Sequence, residues 1–119
     1  MTLALETIRA AARAGRINWR RHALLRARQR GITRGQALRV LHAGAIVEQQ
    51  PRARPFPKAL LVAMLLPELP LYVSVGYDRV QEYLHVITVH WLDPRTWEDP
   101  WTRRLKPPKL RRQARRSKP

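Results

Sequence analysis

At Gly44 the hydrophobic pattern of this chain changes period, and that change limits the folds open to it. Before Gly44, apolar residues recur at helical spacing. After it they alternate or run together, as strands do. Thr2–Ala14 reads as a first helix, with Leu3, Ile8 and Ala12 as its apolar stripe, Thr2 as a cap and Gly15 as its end. Ile17 and Trp19 alternate with polar neighbours, which predicts one brief strand before a helix over Arg20–Arg30. Thr33 and Gln36 have the spacing of a capping box. The helix they open buries Ala37, Val40 and Leu41 and ends on Gly44. Strands are expected over Ala45–Gln49, Ala59–Leu66, Leu71–Gly76 and Tyr83–Trp91. Between them lie a proline-rich loop (Pro51–Pro57) and turns at Pro67–Pro70 and Tyr77–Glu82. The expected fold is α+β: N-terminal helices, then a four-strand antiparallel meander with the helices on one face. Ala59–Leu66 and Tyr83–Trp91 belong in the interior of that sheet. Strict alternation in the last strand puts Leu84, Val86, Thr88 and His90 on one face and His85, Ile87, Val89 and Trp91 on the other.

A chain of 119 residues supports one domain with one modest core. That domain is expected over 1–102, followed by a tail over 103–119. The tail has nine Lys or Arg, three prolines and no acids, and reads as disordered. It is either an electrostatic arm for a polyanion or a solvated end. Trp97 and Trp101, four apart, can dock back on the body. Charge is the outstanding property of the whole chain: 24 Lys and Arg oppose 8 Asp and Glu, for a formal net charge of +16. Almost all of the cations are arginine, which suits bidentate phosphate contact. The first partner this predicts is nucleic acid, then an acidic protein, then an anionic membrane surface. There is no Cys, so disulfides and thiolate metal sites are excluded. No apolar run reaches transmembrane length and Thr2–Arg16 lacks a signal-peptide core, so a cytoplasmic location is the expectation.

The residues able to do chemistry are few. In the Arg20–Arg30 helix, His22, Arg26 and Arg30 fall at i, i+4 and i+8 along one face. Two arginines so placed repel each other unless an anion sits between them. One reading is a phosphate clamp beside a titratable group. The other is a solvated basic face with a histidine in the wall of the core. His42 sits at a helix end, where the dipole favours a cation, and reads as structural. Thr88 and His90 project together near the end of the last strand. The acids are scattered, apart from Glu98–Asp99, and no His and carboxylate set has metal-ligand spacing. Neither a metal nor another cofactor is expected, and any nuclease chemistry would be metal-free. RNA cleavage of that kind needs a base for the 2′-hydroxyl, an acid for the leaving 5′-oxygen and cations for the phosphorane. His22 and His90 would share the proton work, and Arg26 and Arg30 would hold the phosphate.

An ordered set of short motifs adds a resemblance. His22-Ala23, Arg26, Arg30-Gly31-Ile32-Thr33, Gly44 and Ile46–Glu48 come first. Arg54-Pro55-Phe56-Pro57 with Leu60, Pro70-Leu71-Tyr72-Val73 with Val75, Val86–Val89, and Asp93-Pro94 with Trp97 follow in order. Together, over about Leu3–Arg104, they are similar to domain-of-unknown-function family 4258. The chain departs from that pattern at Tyr72, where the family usually has His, and at His90, where it usually has Tyr. The resemblance implies a fold like that of the RelE and BrnT toxins, the toxin half of a toxin–antitoxin pair. The activity it implies is endoribonuclease action on mRNA, free or on the ribosome, and the partner an acidic or zinc-finger antitoxin. Tyr72 then joins Thr88 and His90 as the wall beside His22, Arg26 and Arg30. Two other functions fit the same charge: an RNA- or ribosome-binding protein that does not cut, and a basic adaptor for an acidic protein.

Overall fold

The computed structural model describes residues 3–66, 69–92, 97–99 and 103–104. In chain order these form α1 (Leu5–Arg13), β1 (Ile17–Trp19), α2 (Arg21–Gln29), α3 (Arg34–Ala43), β2 (Ala45–Gln50), β3 (Lys58–Leu66), β4 (Leu69–Asp78), β5 (Tyr83–Trp91), β6 (Trp97–Asp99) and β7 (Arg103–Arg104). The helix boundaries have local causes. α2 stops because Gly31 takes a φ of +68°, a conformation that costs glycine little. The Gly31 N–H then donates to Arg28 and the Ile32 N–H to Ala27, which satisfies two carbonyls at the helix end. α3 starts at the expected capping box. Thr33 Oγ1 accepts from the Gln36 N–H at 3.0 Å, and Gln36 Oε1 accepts from the Thr33 N–H at 2.9 Å. The N-cap of α1 is Ala4, with no side-chain cap, and Thr2 lies outside the described residues.

The helices-then-strands order holds, but the sheet differs from the expected meander. It has five strands in the order β1-β5-β4-β3-β2 and is mixed. β2 to β5 form the antiparallel meander, with β3, β4 and β5 inside. β1 adds to the far side of β5 in parallel, pairing Ile17, Asn18 and Trp19 with Leu84, His85 and Val86. A parallel partner needs a crossover, and here the crossover is everything from α2 to β4. β4 also starts earlier than expected, and Pro70 is buried within the strand; Pro67 and Glu68 of the expected turn lie outside the described residues. β6 and β7 form a separate two-stranded ribbon. Residues 105–119, most of the expected basic tail, lie outside the described residues, as does Trp101.

All three of the described helices cover one face of the sheet. Ile8, Ala11, Ala12, Ala23, Ala27, Ile32, Ala37, Val40 and Leu41 pack there on Ala59, Leu61, Ala63, Leu71, Val73, Val75, Leu84, Val86 and Val89. Burial of each large aliphatic side chain stabilises the fold by roughly 1.5–3 kcal/mol. Small residues at Ala23 and Ala27 let α2 sit close against β5.

Two β-bulges decide what faces the other way. One residue is inserted at Val47 in β2, between the pairs Ile46–Leu61 and Glu48–Leu60. Another is inserted at Ile87 in β5, between Val86–Val75 and Thr88–Ser74. The second overturns the expected face assignment in β5. Leu84, Val86, Val89 and Trp91 share the helix-covered side, and His85, Thr88 and His90 share the other. Among the described residues, no helix is long and apolar enough to cross a membrane.

Candidate functional site

The face left uncovered by helices is an ordered grid. Strand register places Val62, Tyr72 and His90 in one row across the sheet. Glu48, Leu60, Ser74 and Thr88 form the next. Gln50, Lys58, Gly76 and His85 form the third. Leu60, Val62 and Tyr72 make a small apolar floor with Val47 and Leu92. Over that floor lies a cleft of about 120 Å³ lined by Glu48, Gln50, Lys58, Leu60, Ser74, Thr88 and His90. A carboxylate, an ammonium, two hydroxyls and an imidazole thus line one shallow space.

Its two sides are well separated. Glu48 is on β2 and His90 on β5, so three strand spacings put their Cα atoms at least about 14 Å apart. His90 is held by its cross-strand partner Tyr72, whose ring stacks on it at 5.0 Å and 3°. Tyr72 itself is fully buried, so its ring gives the imidazole a fixed surface to stack on. The two positions at which the sequence reading expects a departure from the resembled pattern are therefore neighbours in one stacked pair.

The residues singled out in the sequence divide into two groups and a link. Thr88, His90 and Tyr72 meet on the open face, as described. His22 and Arg26 lie on α2, which packs on the covered face. His22 is exposed, so it is not a wall of the core. Its Nε2 accepts from Arg26 Nε at 3.4 Å, a long bond that bears out the i, i+4 stacking. Arg30 is the link. Its guanidinium donates to the Val89 carbonyl at 2.6 Å, between Thr88 and His90 and beyond the point where β1 stops pairing. The Arg30 carbonyl accepts from the Trp91 indole N–H at 3.0 Å. Arg30 thus fastens α2 to the edge of β5, and an anion would be held by its remaining N–H groups.

Glu48, Lys58 and Ser74 escaped the sequence reading. One signal was there: Glu48 is the sole carboxylate between Glu6 and Glu68, and it falls inside a strand. Lys58 opens the apolar run of β3 and projects beside Glu48 only through the register. His85 also lies on this face. Its Nδ1 accepts from the Asn18 side-chain amide at 3.1 Å, and its buried Nε2 has no partner. Burial lowers its pKa below the ordinary histidine value, the Arg20 charge lowers it further, and Asp78 opposes them.

A model of the family described as a domain of unknown function (DUF4258) matches residues 19–91, more than half of the chain. The chain belongs to the DUF4258 family. No curated relative and no solved structure matches it. The DUF4258 match runs from the end of β1 to the end of β5, so it leaves out α1 and the β6–β7 ribbon. It takes in both walls of the cleft, the Arg30 clasp and the His22–Arg26 pair.

Proposed function

We propose that this DUF4258 chain binds single-stranded RNA on the open face of its sheet and cleaves it without a metal ion. The observation that carries the reading is the cleft in which Glu48, Lys58 and His90 come together on a strongly basic protein. In this reading one of Glu48 and His90 takes the proton from a ribose 2′-hydroxyl. The 2′-oxygen attacks the adjacent phosphorus, and the other group returns a proton to the departing 5′-oxygen. The products are a 2′,3′-cyclic phosphate and a 5′-hydroxyl. Lys58 offsets the charge that builds on the phosphorane, and Thr88 and Ser74 donate to its oxygens. Arg26 and the free face of α2 supply general attraction to the backbone.

Helices followed by an antiparallel meander also support a likeness to RelE and BrnT toxins. The chain is then the toxin half of a pair, acting on mRNA in the cytoplasm, with an acidic or zinc-finger antitoxin as its protein partner.

The test is cleavage of unstructured RNA, free and on ribosomes, with EDTA present throughout. His90→Ala and Glu48→Gln should each slow cleavage by about 10²–10⁴-fold, the usual contribution of one acid or base. Binding should be largely kept. If the unaltered protein binds RNA at physiological salt and never cuts it, it is a binding module. If it ignores RNA and captures acidic proteins instead, the adaptor reading replaces this one.

A further inference from the structure

A second cleft opens on the same face, at the end away from the Tyr72–His90 row. Its volume is about 150 Å³, and Arg20, Arg54, Pro55, Phe56, Lys58, Gly76 and Ile87 line it. Three features set its chemistry. Arg20, Arg54 and Lys58 converge on it and no carboxylate lines it, so the cations repel one another unless an anion enters. Phe56 gives it an aromatic wall, and that wall is braced. The Phe56 ring stacks on His85 at 4.8 Å and 1°, and Asn18 fixes the His85 ring through its Nδ1. The third feature is Gly76, whose missing side chain leaves the floor open. A Cβ there would stand 3.4 Å from Ile87 Cδ1 and 3.6 Å from Phe56 Cβ.

Size narrows the ligand. Pockets for whole small molecules run from about 300 to 1,000 Å³, and this one is half the lower bound. It has room for one unit of a polymer. Lys58 lines both this cleft and the first, and its row is next to the row of Glu48, Ser74 and Thr88. A strand of RNA crossing the face would meet the two clefts in succession.

We propose that the second cleft is a nucleotide subsite, holding the unit that flanks the scissile bond. Its base stacks on Phe56 and its phosphate lies among Arg20, Arg54 and Lys58. The proposal rests on the RNA-cleaving reading above and adds to it where the substrate is gripped outside the reacting bond. It assigns no proton transfer to these residues.

The experiment uses the full chain and an uncleavable 2′-O-methyl octanucleotide, with binding followed by fluorescence anisotropy. Phe56→Leu keeps an apolar cover over His85 but removes the stacking surface. It should weaken octanucleotide binding by about 5–100-fold, as loss of one base–aromatic stack does. Arg54→Ala changes an exposed side chain and should leave folding intact. It should weaken binding and lower the slope of log K against log salt by about 0.7, one phosphate contact on a single strand. If the unaltered protein binds the octanucleotide and both variants bind it equally well, the subsite is rejected while the RNA reading stands. If a mononucleotide binds this cleft as tightly as the octanucleotide, the site serves a free nucleotide and the proposal is overturned. If the unaltered protein binds no oligonucleotide, both readings fall.

Discussion

The indole N–H of Trp91 donates to the main-chain carbonyl of Arg30 at 3.0 Å, across 61 positions of sequence. Arg30 returns the contact by donating its guanidinium to Val89. One residue at the end of α2 therefore closes the outer edge of β5 where β1 no longer covers it. Arg30→Ala should destabilise the protein by about 1.5–3 kcal/mol, the range for a hydrogen bond with a charged donor. Trp91→Phe should cost about 1 kcal/mol through the unpaired carbonyl. Because both changes loosen the same junction, the double variant should lose less than the sum. Urea unfolding of the four proteins measures this, and strict additivity would show that the two bonds are independent.

His22 is placed for binding rather than for the proton steps assigned to His90 and Glu48. It sits on α2 with Arg26, and the cleft opens on the opposite face of the sheet. His22→Gln should change the cleavage rate by less than about tenfold, well below the effect of an acid or base. Arg26→Ala should weaken RNA binding most at low salt. A loss of 10²-fold or more on His22→Gln would return the proton transfer to α2.

His85 makes stability depend on pH in a predictable direction. Its folded pKa is lowered from the ordinary 6.5, by burial first and by Arg20 second. The unfolded chain therefore binds a proton that the folded chain resists. The contribution is complete above pH 6.5 and is lost as pH falls through the lower folded value. Protonation also removes the acceptor that Nδ1 offers to Asn18. Denaturant midpoints measured from pH 8 down to pH 5 should fall, and His85→Gln should flatten that part of the curve. An identical decline in His85→Gln would assign the effect to other groups.

Gly44 is required by a close approach, not by backbone conformation. Its φ is −78°, which any residue can adopt. A Cβ at this position would lie 2.5 Å from the Val40 carbonyl oxygen and 2.8 Å from that of Val62. Both are main-chain atoms and cannot swing away. Gly44→Ala should destabilise by about 1–3 kcal/mol, as overpacking does. A thermal midpoint equal to that of the unaltered protein would mean that the α3–β2 corner can open.

What the sequence made legible was local. The α3 capping box, the Gly31 break and the span of β5 each depend on residues within a few positions of one another, and each can be read directly. The place of β1 depended on distance. Ile17–Trp19 is plainly a short strand, but its partner lies more than sixty residues away, and nothing in three residues names it. In the same way His22 and Arg26 were visible as a helix face, whereas Lys58 and Glu48 become neighbours only through strand register. The bulges were hidden for a different reason. Val47 and Ile87 are ordinary β-branched strand residues, so an inserted one leaves no mark in composition.

Those two insertions act as slack in the ladder. In β2 both Val47 and Glu48 reach the open side, and in β5 both Ile87 and Thr88 do. Without Val47, Ile46 and Glu48 would follow each other opposite Leu61 and Leu60, and Glu48 would keep its side. Without Ile87, Val86 and Thr88 would follow each other opposite Val75 and Ser74, and His90 would keep its side. Each strand can therefore give up one residue here and still hold its chemistry on the wet side of the sheet. Losing a second finds no such slack and would turn the side chains beyond it into the aliphatic core.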